Sequence, residues 1–207
     1  MDCKIFIRTA SEKDVPAIFA LIKELAEYEK LADQIKTTEN ELRKTLFGND
    51  RFVEILLAEV NGQIVGQALF FKNFSTFLGK PGIYLEDLYV RPEMRGKGIG
   101  KMLLDKIISI AKERNYGRVE WSVLDWNEPA IEFYKKIGAK SLDDWTIFRL
   151  TSDKFGALFF AISINLVYQL SLKLLLKIHY FYISKIYYRT LIFNLIRGSK
   201  CLTKTEE

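Results

Sequence analysis

Residues Arg91 to Lys101 read Arg-Pro-Glu-Met-Arg-Gly-Lys-Gly-Ile-Gly-Lys, with glycines at 96, 98 and 100. Glycines at that spacing leave backbone N–H groups uncovered by side chains. If a strand precedes them and a helix follows, those groups sit at a helix N-terminus, where the macrodipole favours an anion. Arg95 and Lys97 would add charge-assisted contacts, so the chemistry indicated is capture of a pyrophosphate. Neither common nucleotide motif fits: a Walker loop needs Gly-Lys-Ser/Thr after four spacer residues, and a dinucleotide fold needs G-x-G-x-x-G, whereas this chain has G-x-G-x-G.

The elements that must hold this loop are legible in the periodicity. Ile5, Ile7 and Thr9 alternate with polar neighbours and predict a first strand. Ser11 with Asp14, and Thr38 with Glu41, have capping-box spacing. The first opens a helix bearing Val15, Ile18, Phe19, Ile22 and Leu25, and the second a shorter helix ending near Phe47. Strands over 52–60 and 63–71 meet at Asn61-Gly62, a hairpin signal. A strand over 82–90 is closed by Pro92, and a helix from about 98 to 114 carries Ile99, Leu103, Ile107, Ile110 and Ala111 at helical spacing. A strand over 118–124, a short helix opened by Asn127 and ended by Gly138, and a last strand over 145–150 complete the order. The expected class is α/β, with a mixed sheet and helices on its faces.

Charge limits the partners. The chain of 207 residues has 31 Lys plus Arg against 26 Asp plus Glu, but residues 1–150 hold 23 of each, so the excess lies in the remainder. A neutral domain is a poor match for a phosphate polymer, which argues against nucleic acid. Cys3 and Cys201, the only cysteines, give neither a disulfide framework nor a metal-ligand spacing. No metal is expected. Met1-Asp2-Cys3-Lys4 lacks the basic start and apolar run of a secretory signal, so a cytoplasmic catalytic part is expected.

Arg95-x-x-Gly98-x-Gly100 after a strand resembles the acetyl-CoA pyrophosphate signature of the GNAT superfamily. Tyr84-Leu85-Glu86-Asp87 with Tyr89-Val90, Asp125-Trp126-Asn127-Glu128-Pro129-Ala130, and Phe133-Tyr134-Lys135-Lys136-x-Gly138-Ala139 resemble the diamine (spermidine/spermine) acetyltransferase family, in its thialysine-type branch. The resemblance covers residues 4 to about 150. It implies the GNAT fold over 1–150, acetyl-CoA as cosubstrate, a small-molecule amine as acceptor and a homodimer. It also places Arg95, Gly96, Lys97, Gly98, Ile99, Gly100 and Lys101 on the pyrophosphate, Leu88, Tyr89 and Val90 along the pantetheine arm, and Asn127, Pro129 and Ala130 against the same cosubstrate.

Acetyl transfer needs a nucleophilic amine, and an alkyl amine with a pKa near 10 is unprotonated in only about one molecule per thousand at neutral pH. A proton acceptor is required. Glu86, set among Tyr84, Leu85, Leu88 and Tyr89, is the candidate base, on the expectation that burial raises its pKa; pairing with a cation is the alternative role. The resemblance assigns Tyr134 as the acid for the departing thiolate, and puts Tyr28, Glu29, Thr76, Glu86 and Asp144 on the acceptor. Thr76 stands where the polyamine-preferring branch has an aspartate, which implies an amine similar to thialysine. Acetylation of a protein N-terminus or lysine shares the same cosubstrate site, and a CoA-binding module without turnover is the alternative from another class.

From Phe155 to Leu202 there is no acidic residue and no proline. Residues 151–207 form an atypical hydrophobic, basic extension foreign to the resembled family. The stretch 155–172 is marginal for a span of roughly 20 residues. An anchor would set Lys173, Lys177, Lys185 and Arg189 against anionic lipid; translated sequence never selected for a fold is the preferred reading. His179, the only histidine, has no catalytic partner in the sequence.

Overall fold

The computed structural model describes residues 4–155 together with Lys173, Leu175 and Lys177. The readings that fall on Cys3, His179, Cys201 and the rest of the extension lie outside the described residues. The chain divides into two compact units, Met1–Lys140 and Ser141–Glu207.

The first unit is built on a five-stranded sheet in the order β1 to β5. β1 (Ile5–Thr9), β2 (Val53–Val60), β3 (Gln63–Ser75) and β4 (Lys80–Val90) form an antiparallel meander, and β5 (Val119–Trp121) adds to β4 in parallel. Asn61 and Gly62 take the positive φ values, 51° and 78°, that the β2–β3 turn demands. α1 (Val15–Tyr28) and α2 (Glu39–Phe47) precede the hairpin, α3 (Ile99–Glu113) joins β4 to β5, and α4 (Glu128–Lys136) follows. Both capping boxes are formed: Asp14 at the end of a 3₁₀ turn that leads into α1, and Glu41 in the first turn of α2.

Alternation along the strands sends two sets of side chains to opposite faces. Leu56, Ala58, Ala68, Phe70, Ile83, Leu85 and Val90 pack with Ile99, Leu103, Leu104 and Ile107 of α3. Val53, Ile55, Leu57 and Leu69 pack with Ile18 of α1 and Leu46 of α2. The mixed α/β architecture with helices on both faces is as expected.

β4 departs from strict alternation at one point. Leu69 pairs with Asp87 and Phe70 with Leu85, which leaves Glu86 as an extra residue in a bulge. A bulge bends its strand and increases the local twist. The consequence is visible on the other edge, where β4 and β5 pair only at Ile83–Val119, Tyr84–Glu120 and Leu85–Trp121, ending at the residue before the bulge. β5 is therefore shorter than the expected 118–124. Beyond that point β4 continues to Val90 while the chain after β5 diverges, and a cleft opens between them.

The strand expected over 145–150 is absent. Trp145 N–H donates to the Leu142 carbonyl at 3.1 Å, closing a local turn. Trp145 (72%) and Phe148 (92%) stand exposed. Alternation supplies β-propensity, but a strand also needs a neighbouring edge to accept its ladder, and among the described residues none pairs with 145–150. Among the described residues no helix is long and apolar enough to cross a membrane.

Candidate active site

The loop leaving β4 passes through a 3₁₀ turn at Pro92–Met94 and enters α3 at Gly98. Gly96 and Gly98 have φ of 75° and 80°, the left-handed region that side chains with a Cβ rarely adopt. No heavy atom lies within 4 Å of where a Cβ would sit on either, so the loop surface is open as well as strained for any other residue. Met102 N–H is the donor that reaches back to the Gly98 carbonyl, at 3.0 Å. The N–H groups of Ile99, Gly100 and Lys101 belong to the first turn and have no carbonyl one turn behind them within the helix. Residues 95–101, where a phosphate cradle is expected, thus form an open turn with backbone N–H groups at a helix start.

The basic side chains of the loop make the following contacts. Lys101 Nζ turns along the helix to Asp105 (2.7 Å) and Lys97 is exposed. Arg95 is exposed too but folds back on the loop, its Nε donating to the Val90 carbonyl at 2.9 Å and its guanidinium 4.5 Å from the Tyr28 ring and 5.6 Å from the Tyr89 ring. Arg91 forms a bidentate pair with Glu24 of α1, Nη2 to Oε1 at 2.8 Å and Nε to Oε2 at 3.0 Å. Two arginines thus fasten the loop to the C-terminal half of α1. A sequence scan sees the charges of Glu24 and Arg91 but not their pairing across 67 residues.

Along the cleft, backbone direction alternates as well. Arg91 N–H donates to Val65 of β3 at 2.9 Å. The N–H and C=O of its neighbour Val90, and of Leu88, therefore face the opposite edge, into the cleft. Tyr89 is the exception among the three expected pantetheine contacts: its backbone faces β3, and its buried ring supports Arg95.

α4 forms the far side. Asn127, buried at its start, does not cap the helix with its side chain. Its Oδ1 instead accepts from the Tyr28 hydroxyl at 3.1 Å, and Ala130 N–H closes the turn on the Asn127 carbonyl at 3.0 Å beside Pro129. The cap expected at Asn127 is thus made by backbone alone, because the carboxamide is taken up by α1. Trp126 stacks on Tyr28 with ring centroids 5.8 Å apart. Tyr134, one face against Trp121 at 4.9 Å, is pushed up to about 12 by burial and by the charge of Glu29. It stays protonated throughout the neutral range, as a proton donor must.

The carboxylates carry the main correction. Glu86, expected to be buried, occupies the bulge and is exposed. The acid with the raised pKa is its neighbour Asp87, pushed up to about 7 by burial and then by the charges of Glu86 and Glu29. Glu29, at the C-cap of α1, is itself shifted upward by burial. Its charge reaches both Asp87 and Tyr134, so α1, β4 and α4 converge on one place. No sequence signal picked out Asp87 over Glu86, since adjacent strand residues face opposite sides of the sheet whichever of them works.

One expected acceptor contact is not brought to this place. Thr76 lies exposed in the β3–β4 turn. Asp87 is seven residues along β4 from Lys80, roughly 23 Å away at the rise of a strand. Asp144 belongs to the second unit, exposed in a turn.

A model of the acetyltransferase (GNAT) family matches residues 18–139. The chain is 40% identical over 160 residues to the thialysine N-epsilon-acetyltransferase of Bos taurus, covering 72% of this chain and 94% of that one. It is 32% identical to the L-ornithine N5-acetyltransferase of Arabidopsis thaliana, covering 73% of this chain and 86% of the relative. Among solved structures, an integron cassette protein from the mobile metagenome of V. cholerae superposes with a TM-score of 0.63 at 24% identity, covering 74% of this chain and 96% of that one. An aminoglycoside acetyltransferase from a soil metagenome, in complex with sisomicin, gives 0.61 at 21%, covering 71% and 95%. On these matches the chain belongs to the GNAT family and is an N-acetyltransferase.

Proposed function

We propose that this enzyme acetylates the primary amine of a small cationic molecule of the lysine or ornithine type, with acetyl-CoA as cosubstrate. The observation that carries the reading is the convergence of Glu29, Asp87 and Tyr134 beside a cleft that begins at an open phosphate cradle. The relatives named for thialysine and ornithine support the acceptor class. The cosubstrate fits on two grounds, the open space over Gly96 and Gly98 and the outward-facing backbone of Leu88 and Val90. Bound there, it supplies an activated acetyl group.

The chain's residues supply the rest. Glu29, Glu86 and Asp87 set a negative potential that draws in a cationic acceptor. Asp87, poised near neutrality, receives the proton that the ammonium must lose, directly or through water; the role first assigned to Glu86 passes to Asp87 because Glu86 is exposed. Leu88 and Val90 present N–H groups where negative charge grows on the acyl oxygen. Tyr134 donates a hydrogen bond to the leaving sulfur. An acid near 12 does not readily surrender its proton to a thiolate, and the bound cation offsets Glu29 and so makes Tyr134 a better donor.

The same proposal includes a cytoplasmic homodimer, for which the exposed Phe74, Phe77 and Leu78 near the β3–β4 turn provide an apolar surface. Thiol release should be followed with the full chain and with Tyr134→Phe, using thialysine, ornithine, lysine, spermidine and a short peptide as separate acceptors. Turnover of an amino-acid-like amine, reduced about 100-fold in Tyr134→Phe, is expected. Turnover of the peptide alone, or of no acceptor, would overturn the reading.

A further inference from the structure

The polar and charged side chains that the first unit buries are Asp14, Gln67, Ser75 and Asn127. Three of them are hydrogen-bonded: Asp14 to Arg8, Ser75 to Leu78 N–H and Arg118, and Asn127 to Tyr28. Gln67 differs. It is 0% exposed, and neither Oε1 nor Nε2 has a hydrogen-bond partner among the described residues. A buried carboxamide of this kind calls for a partner, since a leucine in its place would cost nothing in lost hydration.

The register says what that partner is for. Gln67 of β3 stands opposite Tyr89 of β4 and Leu57 of β2, and Leu69 stands opposite Asp87. Gln67, Tyr89 and Asp87 therefore share one face of the sheet, the face that α1 covers through Ile18. Gln67 and Asp87 are diagonal neighbours, about 7 Å apart between backbones, a gap that a long side chain and one water molecule fill.

We propose that Gln67 is a positioning residue for the transfer: through one enclosed water molecule its carboxamide hydrogen-bonds the carboxyl of Asp87 and orients it toward the acceptor amine. A carboxamide both donates and accepts, so the same pair of hydrogen bonds serves Asp87 with and without its proton. By donating toward the carboxylate, Gln67 holds Asp87 lower than burial alone would place it. The other groups that bear on Asp87 are Glu86 of β4 and Glu29 at the end of α1. Among these Gln67 alone is uncharged at every pH, so it sets the acid's position without adding to the negative potential that attracts the substrate.

The inference rests on the assignment of Asp87 as proton acceptor, and the test separates the two. kcat/KM is measured against pH with the best acceptor for the full chain, Gln67→Leu, Gln67→Met and Asp87→Asn, alongside acetyl-CoA affinity and thermal midpoint. In both Gln67 variants the acid limb should move up by about one pH unit and kcat at pH 7 should fall about tenfold. Acetyl-CoA affinity should hold and the midpoint should stay level or rise. Gln67→Met keeps the length of the side chain and carries the test if Gln67→Leu folds poorly. An unmoved limb beside a changed midpoint makes Gln67 a packing residue and overturns the inference alone. A limb that survives in Asp87→Asn overturns the assignment of Asp87, and the role of Gln67 with it.

Discussion

Two aspartates in the first unit, Asp14 buried and Asp87 half-buried, are treated in opposite ways. Asp14, 6% exposed, takes two bonds from Arg8 at 2.8 and 2.9 Å and two more from the backbone N–H and hydroxyl of Ser11, both 2.8 Å. The guanidinium, first among the causes, holds its carboxyl far below the usual range. Asp87 forms no ion pair among the described residues and faces Glu86 and Glu29 instead, so burial and like charge push it up to about 7. At the β1 end the protein completes its own charge balance. At the β4 end like charges are left facing one another, and on the proposed reading a cation from outside completes the balance.

Asp87→Asn tests the comparison where the effect is largest. Loss of the proton acceptor should lower kcat/KM about 100- to 1,000-fold. Stability should move the other way. A carboxyl raised from 3.8 to about 7 contributes stability that is fully present below pH 4 and is lost as pH rises through 7. The asparagine carries no such loss, so at pH 8 the variant should be more stable by on the order of 2 kcal/mol, with the advantage gone at pH 4. Urea unfolding at the two pH values, beside the kinetics, checks both halves. A variant that loses activity without gaining stability would mean that Asp87 is not strained in the resting enzyme.

Asp14→Ala tests the other pole. It leaves Arg8 with Glu59 alone (2.9 Å) and removes the capping box. A cost of about 2 kcal/mol at pH 7 is expected, since Arg8 keeps one partner and some solvent. The sign with pH is opposite to that of Asp87. A depressed carboxyl contributes stability present above its unfolded pKa of about 4 and lost as pH falls toward its folded value. The gap between Asp14→Ala and the parent should therefore narrow below pH 4, while turnover per folded molecule stays within about twofold.

How much of this was legible beforehand follows the range of the interactions. The open turn before α3 was legible because one short segment contains everything it needs: strand, Gly96, Gly98 and helix. The capping boxes were legible for the same reason. Tyr134 was found through a motif that places it locally on α4, and burial by Trp121 and Phe133 confirms a sheltered hydroxyl without testing its role. Glu86 was misplaced because alternation assigns it to a face only if the strand is regular, and the bulge is a property of the β3–β4 pair, not of β4 alone. Gln67 and Glu24 gave no signal, since their significance depends on what lies across a strand or 67 residues away. The strand expected over 145–150 failed on the same ground: propensity is local, and the partner edge is not.

The smallest expected effect comes from Tyr28→Phe, at a point near the candidate site where the polar groups are paired. The hydroxyl gives up a 3.1 Å bond to Asn127 Oδ1, but the ring keeps its contacts with Arg95 and Trp126. A neutral hydrogen bond is worth about 1 kcal/mol net, and a buried acceptor left without its donor costs somewhat more. A loss of about 1 kcal/mol in stability is expected, with KM for acetyl-CoA raised a few-fold because Asn127 is no longer held, and kcat within about twofold. Tyr28→Leu removes the ring too, freeing Arg95 and Trp126, and should be the more damaging of the two. If the two variants behave alike, the hydroxyl does the holding and the stack on Arg95 is incidental. If Tyr28→Phe is silent in both stability and KM, then α1 and α4 are joined through the rings, and the pairing at Asn127 adds nothing to the asymmetry between the two ends.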